Sequence, residues 1–502
     1  MSQGHKKKPE PTLFIPAKAL YEYLPKKHFY EQLDELLDLS FLYELTAPLY
    51  ADRLGRPSLD PVIFVKCLLV GFFENITYDT VLEYRLADSL TIRRFLGYSL
   101  EERTPDESTI RKTRQRMPEE VIEEAFAYVL EVCHEHNLVR GRALGTDGSL
   151  VDANASLESL RHRELGCSYR QYLAAVRREN REAGAASPPG RPQGERRSNR
   201  DWVSATDPEA SLARHRDDHV HLSYRIDTTV DLETGVVVAA GAEPGEVNDQ
   251  IDFLQRTDEA VAALAPLGLQ PQVMVADKGH HSGENLAGLA ERGVVGLIAS
   301  PGRAQAVEGF RQEDFTLDPA ADQLRCPAGQ VLRRVGSDRP DSRSYRAAGR
   351  VCRACPHFGQ CTKDKSGRKV RLSVHAGLVE ANWQRIRSEA GRPLVQIRGQ
   401  RGEAPFGYMK CFGGLRRLAG RGLAHARKKV LLAAMGWNLL LLVKAVSREA
   451  QRTATGTALG ELWQLWSALC GLVEAILAWW RVLATVFPPT PFPTGSALPV
   501  AR

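Results

Sequence analysis

ALGTDGSLVDANAS (residues 143–156) and PQVMVADKG (residues 271–279) decide how this chain reads. Each opens as a short apolar run and delivers an aspartate at its end, Asp147 and Asp277. A carboxylate at a strand end can project into a cleft while the strand itself stays buried. Between them, HVHLSYRIDTTVD (219–231), a Glu-Thr-Gly turn and VVVAAGAEPG (236–245) carry the signature of a hairpin. Asn248-Asp249 can cap a helix running to about residue 266, and VVGLIAS (294–300) is a further apolar run. The order is strand, insertion, strand, strand, helix, strand, helix, strand. That order predicts an α/β core with an antiparallel hairpin and a parallel portion.

Outward from this core the texture changes on both sides. Residues 12–137 read as helical, because DPVIFVKCLLVGFFENITYDTVLEYRLADSLTIRRFLGY (60–98) repeats apolar residues at three- and four-residue spacing without strand-like alternation. Thr104-Pro105-Asp106-Glu107-Ser108 breaks the pattern, and a new helix carrying Arg111, Lys112, Arg114 and Arg116 follows the cap. A basic helix after a turn fits a DNA-binding helix-turn-helix and equally a solvated helix of an ordinary bundle. Residues 157–216 hold twelve arginines among eight acids, with Pro-Pro-Gly inside, and read as a partly disordered surface insertion. A polar, cysteine-bearing segment occupies 301–375 and helix-like, arginine-rich sequence 376–446. The tail 451–502, with four tryptophans and a PPTPFPT ending, reads as an amphipathic helix packed on the protein or on a second subunit.

The whole chain sets bounds. At 502 residues it is too long for one ordinary core, and 43% hydrophobic with 25% charged residues is the balance of a soluble globular protein. A net charge of +6 is mild, so the placement of basic residues matters more than their sum. MSQGHKKKPEP has no apolar stretch after its lysines, and LLAAMGWNLLLLVKAV (431–446) is short for a membrane span and carries a lysine. A cytoplasmic, nucleoid-associated protein with reduced thiols is expected.

Asp147 and Asp277 make chemistry only with a third carboxylate from a later helix. Two divalent ions about 3.5–4 Å apart can activate a water or a 3′-hydroxyl and stabilise the leaving oxygen of a phosphodiester. Hard Mg²⁺ prefers carboxylate oxygen and keeps several waters, so two or three acids suffice. Separately, Cys326 precedes Cys352-x₂-Cys355-x₅-Cys361, four thiols that could satisfy tetrahedral Zn²⁺ or remain free. From Arg398 to Lys429 there are nine basic residues and one acid, Glu403, which fits a DNA-backbone track flanking a metal carboxylate. His280 and His281 read as polar loop residues, with His280 within reach of a phosphate.

Four motifs in order resemble the bacterial insertion-sequence DDE transposases. GTDGSLVDANAS is similar to their first-aspartate motif and VADKGHHSGENL to their second. RGEAPFGYMKCFGGLRRLAGRGL resembles their glutamate region, with Glu403, Phe406, Gly407 and Lys410 in the expected pattern. The run from Asp60 through PDESTIRKTRQRM resembles the helical domain that precedes their core, and related transposases often carry a Cys-rich insert. The resemblance implies an RNase H-like core behind an all-α N-terminal domain, with Asp147, Asp277 and Glu403 as the catalytic triad holding Mg²⁺ or Mn²⁺. It implies Arg111, Lys112, Arg114, Arg398, Lys410, Arg416, Arg417 and Arg421 as DNA contacts, and Cys326, Cys352, Cys355 and Cys361 as a structural Zn²⁺ site. It implies terminal inverted repeats and target DNA as partners, a homodimer, and cleavage at element ends followed by attack of the freed 3′-OH. A decayed DNA-binding relative and a nuclease without strand transfer are the alternatives. Three positions depart from the pattern: Gly402 replaces an apolar residue, and Gln396 and Gly399 replace tyrosine and arginine, with Arg398 one place off. Pro405 requires a helix that starts near it. Glu380 and Glu389 rival Glu403, and Asp152 rivals Asp147.

Overall fold

The computed structural model describes residues 24, 28–51, 58–182, 197–215, 218–247, 252–300, 310, 314–318, 320–336 and 342–453. The chain divides into two compact units, Met1–Leu442 and Val443–Arg502, and the elements below belong to the first except for the last turns of the final helix. Residues 454–502, most of the predicted tail, lie outside the described residues, as do Asn248 and Asp249.

Seven helices form the N-terminal part: α1 (Phe29–Leu36), α2 (Phe41–Thr46), α3 (Pro61–Phe73), α4 (Asp79–Asp88), α5 (Leu90–Leu96), α6 (Glu107–Arg116) and α7 (Glu119–Glu135). α3 starts where Asp60 accepts the Val62 and Ile63 N–H groups at 2.8 and 3.1 Å, with Pro61 supplying a pre-set first turn. It is apolar nearly all round and is buried nearly all round. α5 stops at Gly97, whose φ of 75° is left-handed backbone open to glycine. The basic helix α6 is capped by Asp106, which accepts the Thr109 N–H at 2.8 Å.

The core sheet is built on β1 (Ala143–Asp152). β1 runs antiparallel to β5 (Val220–Asp231), pairing Asp147 with Thr228, and parallel to β7 (Val273–Ala276). β6 (Val237–Pro244) returns antiparallel to β5, and β8 (Val295–Ile298) extends the sheet parallel to β7. Three antiparallel strands followed by two parallel ones, in the order β6-β5-β1-β7-β8, are the RNase H-like arrangement expected from the resemblance. Helix α9 (Phe253–Leu264) connects β6 to β7 and α10 (Gly283–Glu291) connects β7 to β8.

The insertion at 157–216 carries more regular structure than its sequence shows, and residues 183–196 and 216 lie outside the described residues. Its described part is ordered into β2 (Leu160–His162), α8 (Tyr169–Glu182), β3 (Trp202–Ser204) and β4 (Ser211–Arg214), and β4 joins the core sheet beside β5. Its small core is anchored by buried Trp202, ringed by His162, Tyr169 and Tyr172 at 5.2–5.3 Å, with Leu160 buried as well. A single aromatic anchor leaves no apolar periodicity for the sequence to show.

The cysteine-bearing segment is an antiparallel sheet of β9 (Thr316–Asp318), β10 (Gln323–Arg325), β11 (Val331–Arg334), β12 (Ser342–Ala347) and β13 (Lys369–Ser373), with α11 (Gly349–Arg353) between the last two. It has its own core around Phe315, Leu324, Leu332 and Tyr345. Then come α12 (Ala376–Arg387), α13 (Gly391–Cys411) and α14 (Leu423–Thr453). α13 passes through Pro405 instead of starting near it, so the helix lacks one N–H donor there. Leu423–Arg448 is long and apolar enough to cross a membrane, but much of it is buried in the fold.

Two buried asparagines fasten these helices to the sheet edges. Asn382 of α12 donates to Ile298 C=O at 2.8 Å and accepts its N–H at 3.0 Å. Asn438 of α14 does the same to Val237 of β6, 2.8 Å each way. Each amide completes an edge strand whose backbone groups would otherwise be orphaned in the core.

Candidate active site

Asp147 lies at the middle of β1, and Asp277 follows the last residue of β7. The two strands are neighbours, so their aspartates emerge on one side of the sheet. α13 packs across β1 and β7. A β-carbon on Gly402 would stand 3.8 Å from Asp147 Cβ, so the helix passes directly over this aspartate. The next residue, Glu403, is exposed beside it.

Electrostatics report the same convergence. Burial pushes the Asp147 carboxyl up, Arg398 and the Gly148 N–H pull it down, and the negative charges of Asp277 and Glu403 push it up again. Asp277 moves the other way: its hydrogen bond to His280 holds it below the usual carboxylate range, against its burial. His280 Nδ1 and the Gly279 N–H both lie 2.8 Å from Asp277 Oδ1. The carboxylate thereby caps the turn that leads into α10. His280 is itself buried, and Asn285 donates to its carbonyl at 2.9 Å. It holds Asp277 in place, a role the reading of a free loop histidine missed.

Arg398 also differs from expectation. One position from where the resemblance puts an arginine, it reaches into the site, with Nη1 3.5 Å from Asp147 Oδ2 and 3.4 Å from the Thr146 carbonyl. Gly145 makes this approach possible, since a β-carbon there would meet Leu232 at 2.5 Å and Arg398 at 3.2 Å. Behind β1, Asp227 is buried against Arg225 and Arg256, and a β-carbon at Gly148 would meet it at 2.6 Å.

The rivals fall elsewhere. Glu380 accepts from Gln384 on its own helix, and Glu389 is exposed just before α13 begins. Asp152 sits between His215 and His221, at 3.6 and 3.3 Å. Among the described residues, no three His, Cys, Asp or Glu side chains stand in ready-made metal-ligand geometry.

The basic residues divide into committed and open ones. Arg114 forms a two-pronged ion pair with Asp79, at 2.7 and 2.9 Å. Lys410 donates to Ser149 Oγ at 2.5 Å and Leu150 C=O at 2.8 Å, stitching α13 to β1. Arg111, Lys112, Arg416, Arg417 and Arg421 are exposed, although Arg111 pairs with Glu107 at 3.5 Å, Arg416 donates to Cys411 Sγ at 3.7 Å and Arg421 donates to the Asn154 carbonyl at 3.1 Å. α6 follows α5 after the ten-residue stretch 97–106 and precedes α7 by Met117-Pro118 alone.

The four cysteines line one pocket together with His357 and Phe310. The Gln330 N–H donates to Cys326 Sγ at 3.2 Å and the Arg368 N–H to Cys352 Sγ at 3.4 Å. Cys361 is pushed up, first by burial and then by Cys352, Cys326 and Cys355, although Arg368 opposes this.

An RNase H-like sheet with acids converging at its centre defines a class of phosphodiester-processing enzymes. Residues 18–116 match the model of a transposase domain (DUF772), and residues 325–443 match that of a transposase DDE domain. The chain belongs to the insertion-sequence DDE transposases. Glu403 and the cysteines fall inside the second match, while Asp147 and Asp277 lie between the two. No curated protein matches the chain. Among solved structures, a piggyBac transposase synaptic complex with hairpin DNA is 9% identical, with a TM-score of 0.30 over 84% of this chain and 75% of that one. A Mos1 transposase paired-end complex is 10% identical, with a TM-score of 0.16 over 56% and 70%. At these scores the fold assignment rests on strand order and the family matches.

Proposed function

We propose that this DNA transposase cuts DNA at the ends of its element and joins the freed 3′-OH to target DNA, using Asp147, Asp277 and Glu403. What supports the reading is that Asp147 and Asp277 sit on neighbouring strands and Glu403 on α13, the helix that packs across both. Three hard oxygen donors whose charges oppose one another suit Mg²⁺ or Mn²⁺, which when bound polarises the phosphodiester and activates the attacking oxygen. The protein's part is to hold the acids. Asp277 is set by His280 and Gly279, Asp147 by the β1 pairing, and Arg398 supplies a fixed positive charge beside them. Exposed Arg416, Arg417 and Arg421 follow α13 and would take backbone phosphates near the site. Arg111 and Lys112 on α6 would do so on the helical domain.

The test is cleavage of a duplex carrying the native element end, with purified protein in Mg²⁺. Glu403→Gln should remove cleavage and Glu380→Gln should leave it. The reverse result would transfer the third position to Glu380, and binding without cleavage by the unmutated protein would favour the decayed relative.

The cysteine pocket is proposed as a structural Zn²⁺ site. The support is that the four cysteines line one pocket of a compact sheet, although among the described residues they do not stand in ready metal-ligand geometry. Elemental analysis should find about one zinc per chain. A protein fully folded without metal would defeat this assignment.

A further inference from the structure

A second cavity lies between the N-terminal helices and the start of α14, away from the carboxylates. Its walls include Phe64 and Leu82 on the helical side and Leu432 on α14, and its polar lining is strongly basic: Arg114, His425, Lys428 and Lys429, against the single acid Asp79. Most of these groups are already engaged. Asp79 is taken by Arg114, and Lys428 donates to the Met117 carbonyl at 2.9 Å. His425 Nε2 accepts the Gly420 N–H at 3.2 Å.

Lys429 is different. Among the described residues it has no hydrogen bond and no ion pair, although it is enclosed by the cavity wall. Its ammonium lies next to Gly414, where an added β-carbon would be 3.7 Å from Lys429 Nζ and 3.5 Å from Thr77 Oγ1. Two donors therefore flank the space that this glycine leaves open. Burial and the neighbouring cations hold Lys429 down to about 8 and His425 down to about 4. A cluster of cations is unfavourable when enclosed, and an anion entering it would remove the repulsion. The rim carries the ring of Tyr78, 71% exposed, which suits a sugar or base more than a bare ion.

We propose that this cavity binds a phosphate group of a nucleic-acid strand, with Lys429 Nζ and Thr77 Oγ1 as the donors that receive it and Arg114 and Lys428 as fixed positive charges behind them. Its nucleic-acid half rests on the DNA-binding reading above; its anion half does not.

The experiment uses the full chain in the Asp277→Ala background, so that the outcome is independent of cleavage. In the first arm, inorganic phosphate replaces chloride at constant ionic strength and the melting temperature is recorded. Phosphate should raise it, Lys429→Met should abolish the rise, Lys429→Arg should restore part of it, and Thr77→Val should reduce it. Circular dichroism confirms that each variant is folded. In the second arm, duplex binding is titrated against salt, and Lys429→Met should make the log–log slope shallower by about 0.9, one phosphate contact. A phosphate response lost in Lys429→Met with an unchanged DNA slope supports the anion site and overturns its assignment to nucleic acid. An absent phosphate response, or one that Lys429→Met leaves intact, overturns the proposal.

Discussion

The carboxylate cluster and the cysteine cluster are assembled in opposite ways. Asp147, Asp277 and Glu403 are separated by 130 and 126 residues, and only the pairing of β1 with β7 and the crossing of α13 over both bring their elements together. The four cysteines fall within 36 positions on one small sheet with its own core. The first site is a product of the whole fold, so its individual acids contribute little to folding and its geometry depends on distant packing. The second closes a local loop, so an ion bound there would be part of local stability.

Several changes can break that contrast, in descending order of effect. The largest effect is expected at Asp277. Asp277→Ala removes a candidate ligand and frees His280, and cleavage should fall by more than the roughly 10–100-fold that loss of an outer-shell partner costs. The melting temperature should fall only modestly, because buried His280 loses its acceptor, and DNA binding should persist or tighten as a negative charge leaves a phosphate-facing site. Cleavage that survives would remove the metal mechanism centred on this carboxylate.

Cys355→Ser should show the opposite profile. Zinc content should fall and backbone amides of β9–β13 should exchange faster, while strands β1 and β5 keep their protection. Structural zinc contributes about 10–16 kcal/mol of apparent binding free energy in isolated finger peptides, so the local loss should be plain in hydrogen exchange. Equal protection with and without a chelator would mean that the apolar core of this sheet suffices.

The asparagine clamps sharpen the first half of the contrast. Asn382→Ala orphans the Ile298 N–H and C=O at the sheet edge, at about 1–3 kcal/mol for each buried group left unpaired. Because α12 leads into α13, the change should lower cleavage as well as stability. Asn438→Ala, which orphans Val237 on the opposite edge, should cost similar stability. Chemical denaturation together with the cleavage assay would separate the two.

What the sequence showed and hid follows from the range of the forces involved. The strands bearing Asp147 and Asp277 were legible as local apolar runs, and Asp277 follows its strand as expected, whereas Asp147 lies in the middle of β1 because the strand continues to Asp152. The N-terminal helices were legible from their period. Arg398 in the site was not, because its reach depends on how α13 is rotated over β1 and on the missing side chain of Gly145. His280 read as a loop residue because its burial comes from Phe253 of α9, 5.1 Å away ring to ring and 27 positions back. The order in the described parts of 157–215 was hidden because a tryptophan and three rings make no periodic signal.

The smallest and most discriminating prediction concerns Lys410, since charge counts in sequence cannot tell a stitch from a DNA contact. The resemblance gives Lys410 a phosphate near the metal site, whereas its ammonium is held by Ser149 and Leu150 on β1. A lysine spent on two acceptors has little to offer a phosphate, and one hydrogen bond to a charged group is worth about 1.5–3 kcal/mol. Lys410→Met should therefore lower stability by an amount of that order and leave the salt slope of DNA binding unchanged. Arg417→Ala, from an exposed residue with no such commitment, should leave stability alone and make the slope shallower by about 0.9. If Lys410→Met instead flattens the salt dependence and spares the fold, the lysine must leave β1 when DNA arrives. The stitch between α13 and β1 would then be a feature of the free protein alone.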